Sequence, residues 1–279
     1  MKRDIKGPRH APMQITNRSG LNNGQKMPAP RIGKPLPWRE APADSSKTSP
    51  NAAGGTRTQL GPQYLLEPGE TIVASSRDVS AGTIGLFGFG VNDAYDLYFL
   101  HKSGGDYTLV IFMKLQFIFE DSGKLVWSQP EKMNFANAFK TAVNQVWGNK
   151  HIRTLRNGKR IMLQCRFNMI IDQWSITEHW EVHVKKVDKF SQSWVNPYSG
   201  KVQLDSEDLT PTAKGAGMRQ RGVVHEFGHM LGLPDEYEVG SPHVKDYSAI
   251  MNRGETVMDR HRSQYISWLN TILKEKGLK

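Results

Sequence analysis

The feature that most constrains this chain is the run His-Glu-Phe-Gly-His-Met-Leu-Gly-Leu-Pro-Asp-Glu-Tyr at residues 225–237. His225 and His229 are four residues apart, so on a helix both imidazoles lie on one face. Two neutral imidazoles that converge on one point form half of a zinc site. Glu226 follows His225 directly, so its carboxylate lies beside the metal and can take a proton from an attacking water.

The residues after His229 predict that this helix ends and the chain turns back. Gly232 lies where a left-handed residue commonly ends a helix, and Pro234 cannot continue one. Asp235 then arrives where its carboxylate can complete three protein ligands and leave a fourth position open. A surface helix with two solvated histidines is the simpler alternative, but the Gly, the Pro and the carboxylate at this spacing favour a zinc site.

The motif resembles the signature of the metzincin zinc peptidases. Its pattern His-Glu-x-x-His-x-x-Gly-x-x-Asp is similar to the metzincin variant in which Asp replaces the usual third His. The sequence of residues 225–237 also resembles that of the snapalysin-like secreted bacterial proteases. Residues 248–252, Ser-Ala-Ile-Met-Asn, are similar to the methionine-containing turn of metzincins. The resemblance covers roughly residues 218–255.

This resemblance implies a role for individual residues. The zinc (Zn2+) ligands that it implies are His225, His229 and Asp235. The general base would be Glu226, and Met251 would form a hydrophobic floor beneath the metal. Tyr237 lies where a phenol could stabilise the oxyanion, and Gly232 would support the turn.

Two other carboxylates remain open as the third ligand. Glu236 is adjacent to Asp235, and Glu255 could be a ligand of the thermolysin type contributed by a later helix. We favour Asp235 because the Gly-x-x-Asp turn gives it a direct geometric reason. We interpret Glu255 as an acidic residue in the first turn of the last helix, where the helix dipole favours it.

His261 lies on the predicted apolar stripe of the last helix, with Val257, Tyr265, Trp268 and Ile272. We favour a core histidine with satisfied hydrogen bonds. The alternative is a group that supports a zinc ligand or donates to the oxyanion. A second metal site at His179 and His183 is not expected, because they lie in a strand-like stretch.

Alternation and turn residues predict a sheet. The predicted strands are 94–101, 107–120, 160–171 and 176–186, with an edge strand within 194–205. Residues 160–171 alternate around the single cysteine, Cys165, which is therefore expected to be buried. One cysteine permits no intramolecular disulfide.

Three helices are predicted. A capping box at Ser128 and Glu131 begins a backing helix that ends at Gly148. The active-site helix covers roughly residues 218–231, and an amphipathic C-terminal helix covers residues 255–273. We therefore expect an α+β, zincin-like metalloprotease fold, with a twisted mixed sheet, a backing helix, an active-site helix and a C-terminal helix.

Composition divides the chain into two parts. Residues 1–60 hold 8 of the 15 prolines and, with 11 Lys/Arg against 3 Asp/Glu, most of the net charge of +10. Such a stretch cannot bury enough apolar surface to offset its ordering entropy, so we expect a disordered tail. Residues 61–279 form the expected catalytic domain, with a β-rich part at about 61–127. No apolar run approaches a membrane span.

The tail suggests a route of delivery. Residues 1–12 are basic but no apolar core follows, so we expect no secretory signal. The tail could engage a secretion or contractile injection apparatus, so we expect a bacterial effector or toxin that is secreted or injected by a non-classical route, and otherwise cytoplasmic. Finding the protein only in the cytosol of the producing cell would contradict this. Nucleic-acid binding is not favoured, because Trp38 is the only aromatic residue of the tail.

The sequence therefore predicts a zinc-dependent endopeptidase that acts as a monomer on a protein substrate. One alternative is a zinc-ordered binding module that does not cleave, against which the intact Glu226 argues. Another alternative is a nucleic-acid binder that acts through residues 1–60.

Overall fold

The computed structural model describes residues 65–84, 89–173 and 178–278. This part of the chain is mixed α+β, with one curled mixed sheet, a separate two-stranded hairpin and three helices. The predicted tail at residues 1–60 lies outside the described residues. Among the described residues, no helix is both long and apolar enough to span a membrane.

The main sheet has eight strands. They are β1 (Glu70–Ile84), β2 (Phe89–Lys102), β3 (Tyr107–Glu120), β4 (Lys150–Thr154), β5 (Arg160–Ile171), β6 (Trp180–Lys185), β7 (Trp194–Asn196) and β8 (Lys201–Asp205). The hairpin consists of β9 (Thr212–Gly215) and β10 (Met218–Gln220). The helices are α1 (Gln129–Val146), α2 (Gly222–Met230) and α3 (Asp259–Glu275).

Strand β3 organises the sheet because three other strands pair with it. One edge of β3 pairs in parallel with β5, which in turn pairs antiparallel with β4. The other edge is shared, with β2 antiparallel along its first half and β6 parallel along its second half. From β6 the sheet continues through β8 to β7. At the opposite end of the sheet from β7, register shifts interrupt the pairing of β1 with β2, and such irregularities increase the local twist.

Most strand predictions are confirmed. The predictions at 107–120 and 160–171 match β3 and β5, and 94–101 lies within β2. The predicted inward residues of β6 are buried. The edge-strand prediction for 194–205 was wrong in one respect, because the chain turns through Gly200 at φ +62° and forms two antiparallel strands, β7 and β8.

The three helices pack on one face of the sheet. That face carries the odd-numbered residues of β3 and β5, including Cys165, which is buried as predicted, with a thiol pKa raised by burial. The α1 residues in this core are Phe135, Ala136, Phe139, Ala142, Val143 and Val146. The capping box of Ser128 and Glu131 begins α1 as predicted. A smaller apolar cluster on the opposite face packs against Leu65.

Two helix predictions need correction. The motif helix begins at Gly222 and not at 218, because residues 218–220 pair with β9 as strand β10. The last helix begins at Asp259, and its buried residues are His261, Tyr265, Leu269 and Leu273. The predicted Trp268 and Ile272 are only partly buried. Residues three or four positions after a buried residue lie on the same broad face of a helix, so the sequence alone does not distinguish them. Packing against the sheet buries Leu269 and Leu273, which lie four residues apart.

Candidate metal centre

Helix α2 is nearly surrounded by protein, because eight of its nine residues are buried. The indole Nε1 of Trp147, at the end of α1, donates a 2.8 Å hydrogen bond to the carbonyl of Val224. His225 and His229 lie on the same face of the helix, with ring centroids 4.8 Å apart. The four-residue spacing therefore produces the juxtaposition that the sequence predicts.

Gly232 reverses the chain after α2. Its φ is +81°, the left-handed region that a glycine adopts without a Cβ penalty. The N–H of Gly232 donates to the His229 carbonyl at 2.8 Å, and the N–H of Leu233 donates to the Gly228 carbonyl at 3.1 Å. These bonds close the helix end and bring Asp235 back toward the two imidazoles.

Three acceptor atoms converge at this turn. Oδ1 of Asp235 lies 3.2 Å from Nε2 of His225 and 3.3 Å from Nε2 of His229. Nδ1 of His225 lies 2.9 Å from the Ile250 carbonyl, and Nδ1 of His229 lies 2.8 Å from the Leu233 carbonyl. Because a carbonyl only accepts, we assign the ring hydrogen to each Nδ1, which leaves a lone pair on each Nε2. Three lone pairs that face one another require a shared positive charge.

The charges around this cluster agree with that requirement. Burial raises the pKa of Asp235, but both histidines outweigh it and hold the pKa well below its usual range. Burial lowers the pKa of His229, but Asp235 and Glu226 outweigh it and raise the pKa to about 8. The geometry of the site can therefore accommodate a cation, and a proton on His229 would compete with a metal for the same place.

Glu226 supplies a free carboxylate beside the cluster. The residue is 6% exposed, and its Oε2 has no hydrogen-bond partner. Burial raises the pKa of Glu226, although His229 and His225 act in the opposite direction. Glu226 and His225 both line an open cavity of about 380 Å³. A raised pKa is the property that a general base needs near neutral pH.

Tyr237 borders the same cavity. Its ring is 44% exposed and stacks on the His225 ring, with centroids 6.3 Å apart and an interplanar angle of 22°. Partial burial and the negative charge of Asp235 raise the pKa of the phenol. The hydroxyl therefore keeps its proton at neutral pH and is hydrogen-bonded to the carboxylate of Asp235.

Met251 lies directly beneath α2. It is fully buried, and a Cβ added at Gly228 would clash with its Sδ. The preceding residue, Ile250, accepts from His225, and the carbonyl of Met251 accepts from the N–H of Glu236 at 2.7 Å. The turn that contains Met251 therefore contacts both sides of the cluster.

Glu236 and Glu255, the alternative third ligands, are occupied by arginines. Arg260 binds Glu236 through Nε at 2.6 Å and Nη2 at 2.8 Å. Arg221 binds Glu255 through Nε and Nη2, and its backbone N–H donates to the same carboxylate. Glu255 also lies before α3, so its predicted place in the first turn of that helix was wrong; it pairs instead with the residue that precedes α2.

His261 is a core histidine with satisfied hydrogen bonds, as predicted. Its Nδ1 accepts from the N–H of Met258 at 3.1 Å, so Nε2 carries the hydrogen and donates to Glu236 at 3.0 Å. Burial lowers the pKa of His261, more strongly than Glu236 raises it. The contact also holds Glu236, which precedes Tyr237 and follows Asp235 in the chain.

Asp208 is a buried acid at the cavity that the sequence reasoning missed. Its Oδ2 accepts from Ser193 Oγ at 2.5 Å and from the N–H of Asp205 at 2.8 Å, while Oδ1 has no partner. Burial raises the pKa of Asp208 to about 7, and the charges of Asp205 and Glu226 add to the rise. A Cβ on Gly222 would clash with this carboxylate, so the glycine before the motif was the one local signal.

A second group of possible ligands does not fit a cation equally well. Nε2 of His179 lies 3.5 Å from Asp96 and 3.7 Å from Asp78. Its Nδ1, however, accepts from the backbone N–H of Lys114 at 3.2 Å, so Nε2 must carry the hydrogen. This group is therefore a histidine facing two carboxylates and offers no third lone pair.

The first cluster thus combines two imidazoles and a carboxylate that could hold a metal ion, a buried carboxylate without a partner at Oε2 and an open cavity. These are the parts that metal-assisted hydrolysis requires. No protein-family model matches the chain, and no curated protein shows significant sequence similarity to it.

Proposed function

We propose that this chain is a zinc-dependent endopeptidase of the metzincin type, with a zincin-like arrangement of sheet and helices. The observation that carries the proposal is the convergence of three lone pairs, from His225, His229 and Asp235, beside the unpartnered carboxylate of Glu226. A core histidine pair would be expected to share a hydrogen and would not need a third acceptor.

Zinc fits this donor set. Two imidazole nitrogens and one carboxylate oxygen are the ligands of a catalytic zinc site, which keeps a further position open toward solvent. The backbone carbonyls of Ile250 and Leu233 orient the imidazoles, as the outer partners of zinc-binding histidines do. When bound, zinc supplies a Lewis acid that lowers the pKa of water toward about 7 and polarises a carbonyl.

The residues of the chain then have separate tasks. Oε2 of Glu226 takes a proton from the attacking water and passes it to the nitrogen of the leaving amine, which is general base and then general acid work. The phenol of Tyr237 donates a hydrogen bond to the developing oxyanion. The cavity beside α2 holds the substrate segment that carries the scissile bond.

The test compares the zinc-loaded wild type with Glu226→Gln in a cell lysate, by counting new protein N-termini. Glutamine keeps the shape but cannot take the proton, so we expect unchanged zinc content and turnover about 100- to 10,000-fold lower. Glu207→Gln is the matched control, because Glu207 is exposed and outside the cavity. Turnover retained in Glu226→Gln would overturn the mechanism. No cleavage by the wild type, with zinc bound, would favour the non-catalytic binding module.

A further inference from the structure

The mouth of the cavity carries two positive side chains that the proposed mechanism does not use. Lys214 lies on β9, and Arg253 follows the turn that contains Met251. Both residues line the cavity together with Glu226. The hairpin and the methionine turn therefore each contribute one cation to the same opening.

Neither cation forms an ion pair with a carboxylate of the described residues. Nζ of Lys214 lies over the ring of Phe190, 5.3 Å from its centroid. Cζ of Arg253 lies over the ring of Tyr247, also 5.3 Å from the centroid. An aromatic face positions a cation without neutralising it and leaves donor hydrogens available for a carboxylate.

The segments that carry the two cations also lie close together at the cavity. Nη1 of Arg253 lies against Gly215, 3.2 Å from where a Cβ would stand, and Gly215 follows Lys214 in the chain. Both cations line the same cavity as the carboxylate of Glu226. Neighbouring like charges without a shared anion attract an anion from outside the protein.

We propose that Lys214 and Arg253 form a subsite that binds an acidic side chain of the substrate next to the scissile bond. The substrates are then protein segments with Asp or Glu close to the point of cleavage. The subsite rests on the proposed function for its role in cleavage, but the binding of an acidic side chain can be measured separately. The ring of Phe190, which lines the cavity, contacts Lys214, and the ring of Tyr247 contacts Arg253.

The cleavage experiment uses the full-length, zinc-loaded protein and a pool of synthetic peptides of random sequence, with new termini read by mass spectrometry. The wild type should prefer Asp and Glu at one fixed position, by about three- to tenfold, which suits partly exposed ion pairs. The preference should disappear in the double variant Lys214→Gln with Arg253→Gln. It should change to a preference for Lys and Arg in the double variant Lys214→Glu with Arg253→Glu.

The matched control is Lys124→Glu/Arg156→Glu, which makes the same charge change at exposed residues outside the cavity. It separates a local subsite from the general attraction of a basic chain for acidic peptides. This control should keep the acidic preference of the wild type. The milder glutamine pair keeps the test valid if the reversed pair fails to fold, as circular dichroism will show.

The binding experiment uses a fluorescent alanine-glycine peptide with one central glutamate, and the same peptide with glutamine. The protein carries Glu226→Gln with zinc bound, so that neither peptide is cleaved. The glutamate peptide should bind about three- to tenfold more tightly, and the advantage should be lost when Lys214→Gln and Arg253→Gln are added.

The two experiments separate the two proposals. Cleavage by the wild type without a preference for acidic residues overturns the subsite and leaves the peptidase. Tighter binding of the glutamate peptide without cleavage by the wild type supports the subsite and overturns the peptidase. Equal binding of both peptides overturns the subsite, whatever the cleavage experiment shows.

Discussion

At the scale of single residues, the hydrogen on each imidazole decides what that histidine can do. His225 and His229 each face a backbone carbonyl through Nδ1, so their Nε2 lone pairs are free for a cation. His179 and His261 each face a backbone N–H through Nδ1, so their Nε2 atoms carry hydrogens toward carboxylates. The backbone partner therefore separates candidate ligands from structural histidines.

We predict that Asp235→Asn weakens zinc binding by more than about 100-fold, because loss of an outer partner alone costs about 10- to 100-fold. The amide removes the only negative charge of the ligand cluster and nearly preserves the shape. The measurement is zinc affinity by competition with a chelator of known strength.

Glu255→Gln is the control for this prediction, since Glu255 was an alternative third ligand and is bound by Arg221. Its zinc affinity should equal that of the wild type. The reverse pattern, with zinc lost in Glu255→Gln and kept in Asp235→Asn, would assign the third ligand to Glu255.

At the scale of elements, the site depends on how closely α2 approaches the turn that contains Met251. Gly228 has no side chain, so the sulfur of Met251 and the indole of Trp147 can reach the helix backbone. The same turn provides the carbonyl that orients His225. Packing beneath α2 and the orientation of a candidate ligand are therefore linked.

We predict that Gly228→Ala destabilises the fold by about 1–3 kcal/mol, the usual cost of an extra methyl in a packed core. The added Cβ must displace Met251 or lift α2, so zinc affinity should fall as well. Chemical denaturation and chelator competition measure the two effects. Gly105→Ala is the control, because a Cβ there meets only ordinary contacts. An unchanged free energy of unfolding in Gly228→Ala would show that the turn containing Met251 can move without destabilising the fold.

At the scale of the whole molecule, the sheet gathers the site from distant parts of the chain. The three helices share one face of the sheet, and the segment that follows β8 places Asp208 beside the start of α2. Asp208 and Glu226 are thus two buried acids at one cavity. Burying both carboxylates lowers the free energy of unfolding by an amount that depends on pH.

We predict that Asp208→Asn changes the pH dependence of stability in the metal-free protein. The folded state raises the pKa of Asp208 from 3.8 to about 7, so it holds a proton that the unfolded state has lost. The free energy of unfolding contributed by this group therefore falls as pH rises from about 4 to 7, by at most about 4 kcal/mol.

Denaturant titrations between pH 4 and pH 8 measure this slope. Asp208→Asn should lose the part of the decline that Asp208 contributes and be more stable than the wild type above pH 7, because position 208 then buries no charge. Asp188→Asn, at an exposed position, should leave the slope unchanged. A slope in Asp208→Asn that equals the wild-type slope would assign the decline to another group, such as Glu226.

Local sequence signals were enough to predict β3, β5, α1 and the convergence of the motif, but not β1, β4 or the hairpin of β9 and β10. The capping box at Ser128, the alternation of β5 and β6 and the four-residue spacing of the histidines all act within a few residues. The helix end at Gly232 is equally local, because backbone strain there depends on one residue. Such signals do not depend on the rest of the fold.

The tertiary structure alone decided which carboxylates are free. Glu236 and Arg260 are 24 residues apart, and Glu255 and Arg221 are 34 residues apart, so their pairing leaves no local pattern. The burial of Asp208, and the position of Lys214 over the ring of Phe190 without an ion pair in the described part of the chain, likewise depend on how distant segments meet at the cavity. The sequence by itself determined the candidate ligands. Long-range packing determined which acids and cations remain available for chemistry, because charge pairing and desolvation depend on neighbours in space and not on position in the chain.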